Sequence, residues 1–290
     1  MSNARVASDE ERPLASQLLL EGLGVDLLQH EQHSGATVSF LVWPDSGPIQ
    51  TAAAIVLYRD GTAFLHAPAG ERRPMALGAI YELLVSHAGA IGAHAVIALV
   101  TASHPEFAAE VASHGFERVG FVLSMQCRER QQIQTLAKFA EPPHRLGGAP
   151  ADDARLIALI DRTYAGSLSD PAIGVDHRAT GFVQRLNDET ADHRDRYVYV
   201  LDGIDAATCL LSRHDAARYV TVRYLGVVPE FRGRKLGGKL LAASLSAVWS
   251  RQYDYATVEV DEGNKFAVAI YGELGFRETS RAEEFAIRIR

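Results

Sequence analysis

The residues best suited to chemistry form a short basic run with two glycines, Arg232-Gly233-Arg234-Lys235-Leu236-Gly237. The run follows an alternating segment typical of a strand, with Val220 and Val222 on one face, and precedes leucines at helical spacing. A helix start exposes unpaired N–H groups and a partial positive charge, so basic residues there are unfavourable unless an anion binds. Glycine lets the backbone approach such an anion closely. The run therefore predicts a phosphate-binding helix start, with a solvated basic cap as the alternative.

A second run, residues 264–276, reads Asn-Lys-Phe-Ala-Val-Ala-Ile-Tyr-Gly-Glu-Leu-Gly-Phe. Together the two runs resemble two patterns of the GNAT N-acyltransferase superfamily. The basic run is similar to the acyl-CoA-binding pattern Arg/Gln-x-x-Gly-x-Gly/Ala, with Lys235 replacing the middle glycine. The second run is similar to Asn-x-x-Ala-x-x-Leu-Tyr-x-x-x-Gly-Phe, with Ile270 replacing leucine. A strand-like segment, residues 256–260, lies between them, and the resemblance covers the second half of the chain well and the first half weakly.

The resemblance implies where acetyl-CoA would bind as a co-substrate. A mixed sheet would splay between a strand ending at Val228 and the strand at residues 256–260, with the cofactor pyrophosphate on the basic run. A free backbone N–H near Val227 or Val228 would bind the thioester oxygen and stabilise its developing negative charge. Asn264 would hold the pantetheine or position its own helix. The expected cofactor-binding residues are Val227, Val228, Arg232, Gly233, Arg234, Lys235, Leu236, Gly237 and Asn264.

The same resemblance gives Tyr271 a catalytic role. An acceptor amine would attack the thioester directly, and Tyr271 would donate a proton to the departing thiolate. A phenol with a pKa of about 10 suits a thiol of about 8.5 only if the site shifts either value. The alternative is that Tyr271 is a packed helix aromatic. The amine must also lose a proton, and Glu259, His214 and Tyr224 are open alternatives for the base.

The polar, turn-rich stretch after residue 162 is where the resemblance implies an acceptor pocket. In the family, the first helix, the loop after it and the second helix line that pocket. Tyr164, Ser167 and Asp170 are therefore the expected substrate-binding residues, with Ser169 and His177 as further candidates. Ordinary loop chemistry is the competing interpretation for each of them.

Composition narrows the function classes. The chain has 290 residues, a net charge of −7 and two cysteines, Cys127 and Cys209, without metal-ligand or CxxC spacing. The negative charge argues against general nucleic-acid binding, and the distant cysteines predict reduced core thiols in a cytoplasmic protein. No run is long and apolar enough for a membrane span, and the N-terminal residues lack the apolar core of a secretion signal. We therefore expect no metal and no nucleic-acid or membrane partner, whereas the oligomeric state is open.

Corresponding turns and helices recur at a nearly constant offset in the two halves of the chain. Gly115-Phe116 lies 160 residues before Gly275-Phe276 (276 − 116 = 160), and residues 73–78 lie 159 before residues 232–237 (232 − 73 = 159). This spacing predicts an internal duplication, with chance alignment of short apolar elements as the alternative. The predicted fold is α+β, of the α/β sandwich type. It comprises two tandem GNAT-like domains, 1–131 and 132–290, each a mixed, mostly antiparallel β-sheet flanked by helices.

The first copy lacks several residues and groups to which the second copy owes its expected cofactor binding and catalysis. Pro74 removes an amide from its helix start, while His104 and Val111 stand where the second copy has Asn264 and Tyr271. We therefore expect the domain at 1–131 to be degenerate and the domain at 132–290 to be catalytic. In architecture alone, this arrangement resembles that of mycothiol synthases, in which the second of two such domains is active.

The resemblance implies an acetyl-CoA-dependent N-acetyltransferase that acts on a small-molecule or peptide amine. One alternative is a non-catalytic acyl-CoA-binding regulatory module, and another is a structural or interaction protein that has kept the fold alone. CoA binding separates the last of these from the other two, and turnover separates the enzyme from the regulatory module.

Overall fold

The computed structural model describes residues 3–147, 149–168, 179–188 and 193–289. Each half of the chain has the same order of elements: a short strand, two helices, three strands, a helix, a strand, a helix and a strand. The first half contains β1 (Arg5–Val6), α1 (Arg12–Leu23), α2 (Leu27–Ser34), β2 (Thr37–Trp43), β3 (Thr51–Leu57), β4 (Thr62–Gly70), α3 (Pro74–Ala90), β5 (Ala95–Thr101), α4 (Glu106–Ser113) and β6 (Glu117–Cys127). After α5 (Arg130–Ala137), the second half contains β7 (His144–Leu146), α6 (Pro150–Tyr164), α7 (Ala179–Asp188), β8 (His193–Leu201), β9 (Ile204–His214), β10 (Tyr219–Val227), α8 (Leu236–Val248), β11 (Tyr255–Asp261), α9 (Lys265–Glu273) and β12 (Arg277–Arg288).

The described strands form one 12-stranded sheet in the order β1-β2-β3-β4-β5-β12-β6-β11-β10-β9-β8-β7. Within it, β4–β5 and β10–β11 are the parallel pairs, and the remaining described pairs are antiparallel. Helices lie on both faces. The predicted α+β architecture, with mixed, mostly antiparallel sheets flanked by helices, is therefore confirmed.

The two halves exchange their last strands. β12, which ends the second half, pairs with β5 of the first half, where Glu284 lies opposite Leu99. Reciprocally, β6 of the first half pairs with β11 of the second, where Ser124 lies opposite Glu259. The two exchanged strands also pair with each other, so the halves share one continuous ladder. The domain boundary at 131/132 falls inside α5 and stays a prediction.

The parallel strands β10 and β11 pair only over their first residues. Their pairing ends at Val222 and Val258, after which β10 bulges at Arg223 and continues against β9 alone. β10 ends just before Pro229, which has no amide for a ladder and begins a 3-10 turn. The two strands therefore part and leave a V-shaped opening between them.

The two faces of β11 have different surroundings. Val258 and Val260 are buried in a core with α8 and α9. Because side chains alternate along a strand, Thr257, Glu259 and Asp261 lie on the opposite face. On that opposite face, helix pairs α1–α2 and α6–α7 pack over β2–β3 and β8–β9, toward the two ends of the sheet. The polar face of β11 therefore lies between these helix pairs.

Several local predictions can be compared with the structure. Both cysteines are free and buried, as expected. α5 was not predicted, and β12 begins at Arg277, whereas the sequence predicts a strand only from residue 285. Among the described helices, none combines the length and apolar character needed to cross a membrane.

Candidate active site

Two neighbouring amides at the end of β10 face in opposite directions. The N–H of Val228 donates to the carbonyl oxygen of Ala206 at 3.0 Å. In an antiparallel ladder, consecutive residues turn their polar groups to alternate sides, so the N–H of Val227 faces the opening beside β11. Of the two amides expected to bind the thioester oxygen, that of Val228 is therefore engaged in the sheet, and that of Val227 faces the V.

Arg232 connects the end of β10 to the end of α6. Its guanidinium donates to the carbonyl oxygens of Val227 at 3.1 Å, Gly166 at 3.1 Å and Thr163 at 2.8 Å. Two of these carbonyls, those of Thr163 and Gly166, lie at or just beyond the end of α6, where the last carbonyls of a helix have no partner within the helix. Arg232 therefore fixes the loop that enters α8, and its guanidinium is directed at backbone oxygens.

The residues after Arg232 present a series of backbone amides at the start of α8. Gly233 has a φ of 77° and Lys235 a φ of 58°, both in the left-handed region. Within the described part of the chain, no acceptor binds the backbone N–H groups of residues 233–238. Arg234 lies over the ring of Phe231, with its guanidinium carbon 5.0 Å from the centroid. This geometry suits an anion, and the left-handed φ at Lys235 explains why glycine occupies that position in the family pattern.

Helices α8 and α9 approach each other closely beside this loop. A Cβ atom added at Gly237 would lie 3.3 Å from Cδ1 of Ile270. Asn264 caps α9 by accepting a hydrogen bond from the N–H of Ala267 at 3.2 Å, and its own N–H donates to the carbonyl of Asp261 at 3.0 Å. Asn264 thus sets the start of the helix that carries the candidate catalytic tyrosine.

Tyr271 lies two turns into α9 and is buried, with 5% of its surface exposed. Its ring packs against Phe276, with the centroids 5.6 Å apart. Burial raises the pKa of Tyr271 well above its ordinary value, and the neighbouring Cys209 and Tyr224 raise it further. The phenol is therefore protonated across the physiological pH range, but the raised pKa also makes it a weaker acid toward a thiol with a pKa of about 8.5.

A cavity of about 530 Å³ opens from the V, and residues of both halves line it. The second half supplies Tyr271, Asn264, Glu259, Asp261 and Tyr164, among others. Among first-half elements, the β3–β4 turn, β4 and β5 reach the same space, and β6 and β12 lie between the two sides. The cavity is therefore formed jointly by the two halves, which the strand exchange joins in one sheet.

The three expected acceptor residues have different locations. Tyr164 lines the cavity, and its ring packs edge-on against Tyr224 with the centroids 6.0 Å apart. Ser167 is exposed, its N–H donates to the carbonyl of Tyr164 at 2.9 Å, and it does not line the described cavity. Asp170, like Ser169 and His177, lies outside the described residues.

Tyr224 and Gly226 bring β10 against α6. The hydroxyl groups of Tyr224 and Thr163 share a hydrogen bond of 2.5 Å, and burial raises the pKa of Tyr224 to about 12. A Cβ atom at Gly226 would lie 2.7 Å from Oγ1 of Thr163, so Gly226 permits a close approach of the two elements. The bulge of β10 lies at Arg223 and not at Gly226.

Two of the three candidates for the general base line the cavity. Glu259 and Tyr224 both line it. His214 stacks on Tyr219, with the ring centroids 4.4 Å apart, and does not itself line the described cavity. Sequence reasoning missed Arg223, Phe182 and the first-half lining residues, because their neighbours come from distant parts of the chain.

Comparisons with known proteins agree with this geometry. The Acetyltransferase (GNAT) family model matches residues 163–276, and no curated protein sequence matches the chain. A tandem GNAT protein from the clavulanic acid biosynthesis pathway, solved without AcCoA, is 16% identical with a TM-score of 0.65, over 100% of this chain and 99% of that one. A GCN5-related N-acetyltransferase from Sphaerobacter thermophilus is 18% identical with a TM-score of 0.60, over 99% of this chain and 95% of that one.

At such identities these structures show the fold alone, and they confirm the tandem architecture. The family uses acetyl-CoA as co-substrate and amines as acceptors in general. The matched residues include the end of β10, the basic loop, α8 and Tyr271. The chain thus carries an acetyltransferase domain of the GNAT family at residues 163–276, on a tandem GNAT fold, and is an acyltransferase.

Proposed function

We propose that the protein is an acetyl-CoA-dependent N-acetyltransferase in which a small-molecule or peptide amine attacks the thioester directly. The observation that carries this proposal is the arrangement around one opening: the Val227 amide, the start of α8 and Tyr271 all border the V between β10 and β11. Acetyl-CoA, when bound, supplies the acetyl group as an activated thioester. Residues of this chain would bind the cofactor, stabilise the thioester oxygen and transfer the protons.

The start of α8 fits a pyrophosphate. The amides of residues 233–238 lack acceptors in the described part of the chain, and Gly233 offers no side chain to obstruct an approaching anion. Arg234 and Lys235 add positive charge beside these amides, and the helix dipole acts in the same direction. Arg232 would contribute by holding the loop in this conformation, since its guanidinium already binds three carbonyl oxygens.

Val227 is the candidate for stabilising the thioester oxygen. Its N–H faces the V, whereas the N–H of Val228 is engaged with Ala206. A fixed backbone donor aimed at an oxygen that gains negative charge lowers the barrier without reorganising during the reaction. We therefore assign the oxyanion contact to Val227 alone.

Tyr271 is the candidate general acid, and Glu259 is the candidate base. Tyr271 holds its proton at Oη because burial raises its pKa, and it would release that proton to the departing thiolate, whose pKa burial in the same site would also raise. Tyr224 has a pKa of about 12, and is therefore protonated at neutral pH. Glu259 lies on the cavity face of β11, one residue beyond the last β10–β11 pair, where a carboxylate could accept the amine proton.

The test is release of free thiol from acetyl-CoA in the presence of a panel of amines, combined with titration calorimetry of CoA. The enzyme proposal expects turnover that falls in Glu259→Gln, with CoA affinity maintained. Binding without turnover for every amine would favour a non-catalytic acyl-CoA-binding module. Absence of CoA binding at millimolar concentration would exclude both.

A further inference from the structure

The far side of the cavity is an apolar wall that belongs to the first half. Ile97 and Leu99 alternate along β5 with Val96, Ala98 and Val100, which are buried in the core beneath α3. Ile97 and Leu99 therefore lie on the cavity face, where they line the cavity. Phe64 of β4 lines the same space and packs with them in a small apolar cluster.

This wall lies well away from the V. β5 is separated from β11 by β12 and β6, so the path across the sheet covers three strand spacings. At about 4.8 Å per spacing, the wall is about 14 Å from β11 along the sheet. A molecule that touched both the V and the wall would therefore be elongated.

Helix α7 contacts the β3–β4 turn of the first half beside this wall. Arg185 forms an ion pair with Asp60 of the β3–β4 turn at 3.1 Å, and 6% of the Asp60 side chain is exposed. A Cβ atom at Gly181 would lie 2.7 Å from Cα of Asp60, so helix and turn are in direct contact. On the same helix, Phe182 packs against Tyr224, with the centroids 5.5 Å apart. α7 thus ties the first-half wall to the aromatic side of the cavity.

The charges are distributed unequally along the cavity. Near the V, Glu259 and Asp261 lie on the open face of β11. At the far side, Asp60 is neutralised by Arg185, and Glu284 already interacts with other groups of the protein. A second ammonium group brought to that apolar wall would lose hydration without gaining an uncommitted partner, which is unfavourable. An apolar group brought there would gain by leaving water.

We propose that the acceptor is a primary amine with an extended apolar body, which the first half selects through the wall of Phe64, Ile97 and Leu99. The inference rests on the proposed N-acetyltransferase function and assigns its substrate class. The amine end of the acceptor lies near Glu259 and the V. Its apolar body lies along the cavity toward β5.

The test uses the full-length protein and two amines of equal length, hexylamine and 1,5-diaminopentane. We expect hexylamine to bind more tightly by calorimetry and to be acetylated faster. In a series of n-alkylamines, kcat/KM should rise about fourfold per added methylene until the wall is reached. Tighter binding of the diamine, or a rate independent of chain length, would overturn the proposal.

Substitutions at Leu99 sharpen this test because they act in opposite directions. Leu99→Phe should shorten the preferred amine, whereas Leu99→Ala should lengthen it, and simple destabilisation cannot produce both shifts. Val119→Ala is the matched control, because Val119 packs in the same cluster without lining the described cavity. An equal shift in that control, or the same direction of shift in both Leu99 variants, would contradict the assignment.

The design separates this inference from the proposed function. Selective binding of hexylamine without acetyl transfer would contradict the acetyltransferase mechanism while supporting the apolar acceptor site. Acetylation of the diamine in preference to hexylamine would support the enzyme and overturn the substrate class.

Discussion

The two copies of the fold have similar backbones around their V-shaped openings. In the first copy, the parallel pairing of β4 and β5 ends at Leu65 and Ala98, and the N–H of Glu71 donates to Gln50 at 2.8 Å. In the second copy, the N–H of Val228 makes the equivalent bond to Ala206 at 3.0 Å. The strand end, the splay and the following helix are thus preserved in both.

The difference lies in how the basic residues beside each opening are used. In the first copy, Arg72 pairs with Glu110 of α4, and Arg73 pairs with Glu71 at 2.7 Å. Tyr81 also donates to Glu110, at 2.9 Å. The ion pair between Arg72 and Glu110 joins the loop before α3 to α4. The carboxylate of Glu110 therefore neutralises a cation that would otherwise be available to an external anion.

The basic loop before α8 in the second copy differs from its first-copy counterpart. In the part of the chain that the structure describes, no carboxylate lies in an ion pair with Arg234 or Lys235. We infer that the first copy lost its ligand site through side chains and one proline, and kept its backbone as part of the cavity. On this inference, the comparison predicts that a preserved V is insufficient for acyl-CoA binding when its charges are satisfied internally.

The largest expected effect follows from the exchanged strands. A fragment of residues 132–290 would lack β5 and β6, which would leave β11 paired with β10 alone and β12 without either of its described partners. It would also remove Leu123, Met125 and Cys127 from the core. We expect it not to fold alone, as measured by circular dichroism and hydrogen exchange. Co-expression with residues 1–131 is the control and should restore a complex. A stable, CoA-binding fragment would show that the halves are independent.

The next effect concerns Tyr271→Phe. Loss of a positioned general acid should lower turnover by about 10²–10⁴-fold, while CoA binding stays nearly constant because the ring and its packing remain. Steady-state kinetics and calorimetry measure the two quantities. The control, Tyr81→Phe, removes the hydroxyl of a buried tyrosine in the first copy and should leave turnover unchanged. Unaltered turnover in Tyr271→Phe would make Tyr271 a packing residue.

Charge reversal in the loops before α8 and before α3 tests whether only the second copy binds acetyl-CoA. Arg234→Glu should raise the Kd for acetyl-CoA by at least about tenfold, because it removes a cation from the phosphate site. Arg73→Glu makes the same change in the first copy and should leave the Kd unchanged. Equal weakening by both substitutions, measured by calorimetry, would mean that both loops contribute to binding.

A smaller effect is expected at Arg232. Arg232→Lys keeps the charge but removes the planar fork that binds three carbonyls, so the free energy of unfolding should fall by about 1 kcal/mol. The Kd for CoA should change little. Arg73→Lys, at an exposed ion pair, should alter the unfolding free energy less. A large loss of CoA affinity with full stability would instead make Arg232 a phosphate ligand.

Local patterns predicted the elements that carry the chemistry. Alternation up to Pro229, the helical leucines after Lys235 and the position of Tyr271 each depend on neighbours within a few residues. The close approach of Gly226 to Thr163 could not be predicted in this way, because Thr163 belongs to a helix distant in the sequence. The family pattern likewise indicated Arg232, but its contacts with Gly166 and Thr163 depend on a distant helix end.

The strand exchange could not be predicted from the same information. β6 and β12 would show the same residue pattern whether each paired within its own half or with the other. The start of β12 at Arg277 was missed because its first residues are polar and exposed and give no apolar alternation. The apolar wall at Ile97 and Leu99 follows from that exchange, which places β12 and β6 between β5 and β11.

The central claim is that acetyl-CoA binds in the second copy and not in the first. Titration calorimetry of the full chain with acetyl-CoA tests it most directly, with Arg234→Glu and Arg73→Glu measured in parallel. The account predicts one site per chain, weakened only by the substitution at Arg234. Two sites per chain, or one site weakened only by the substitution at Arg73, would contradict it.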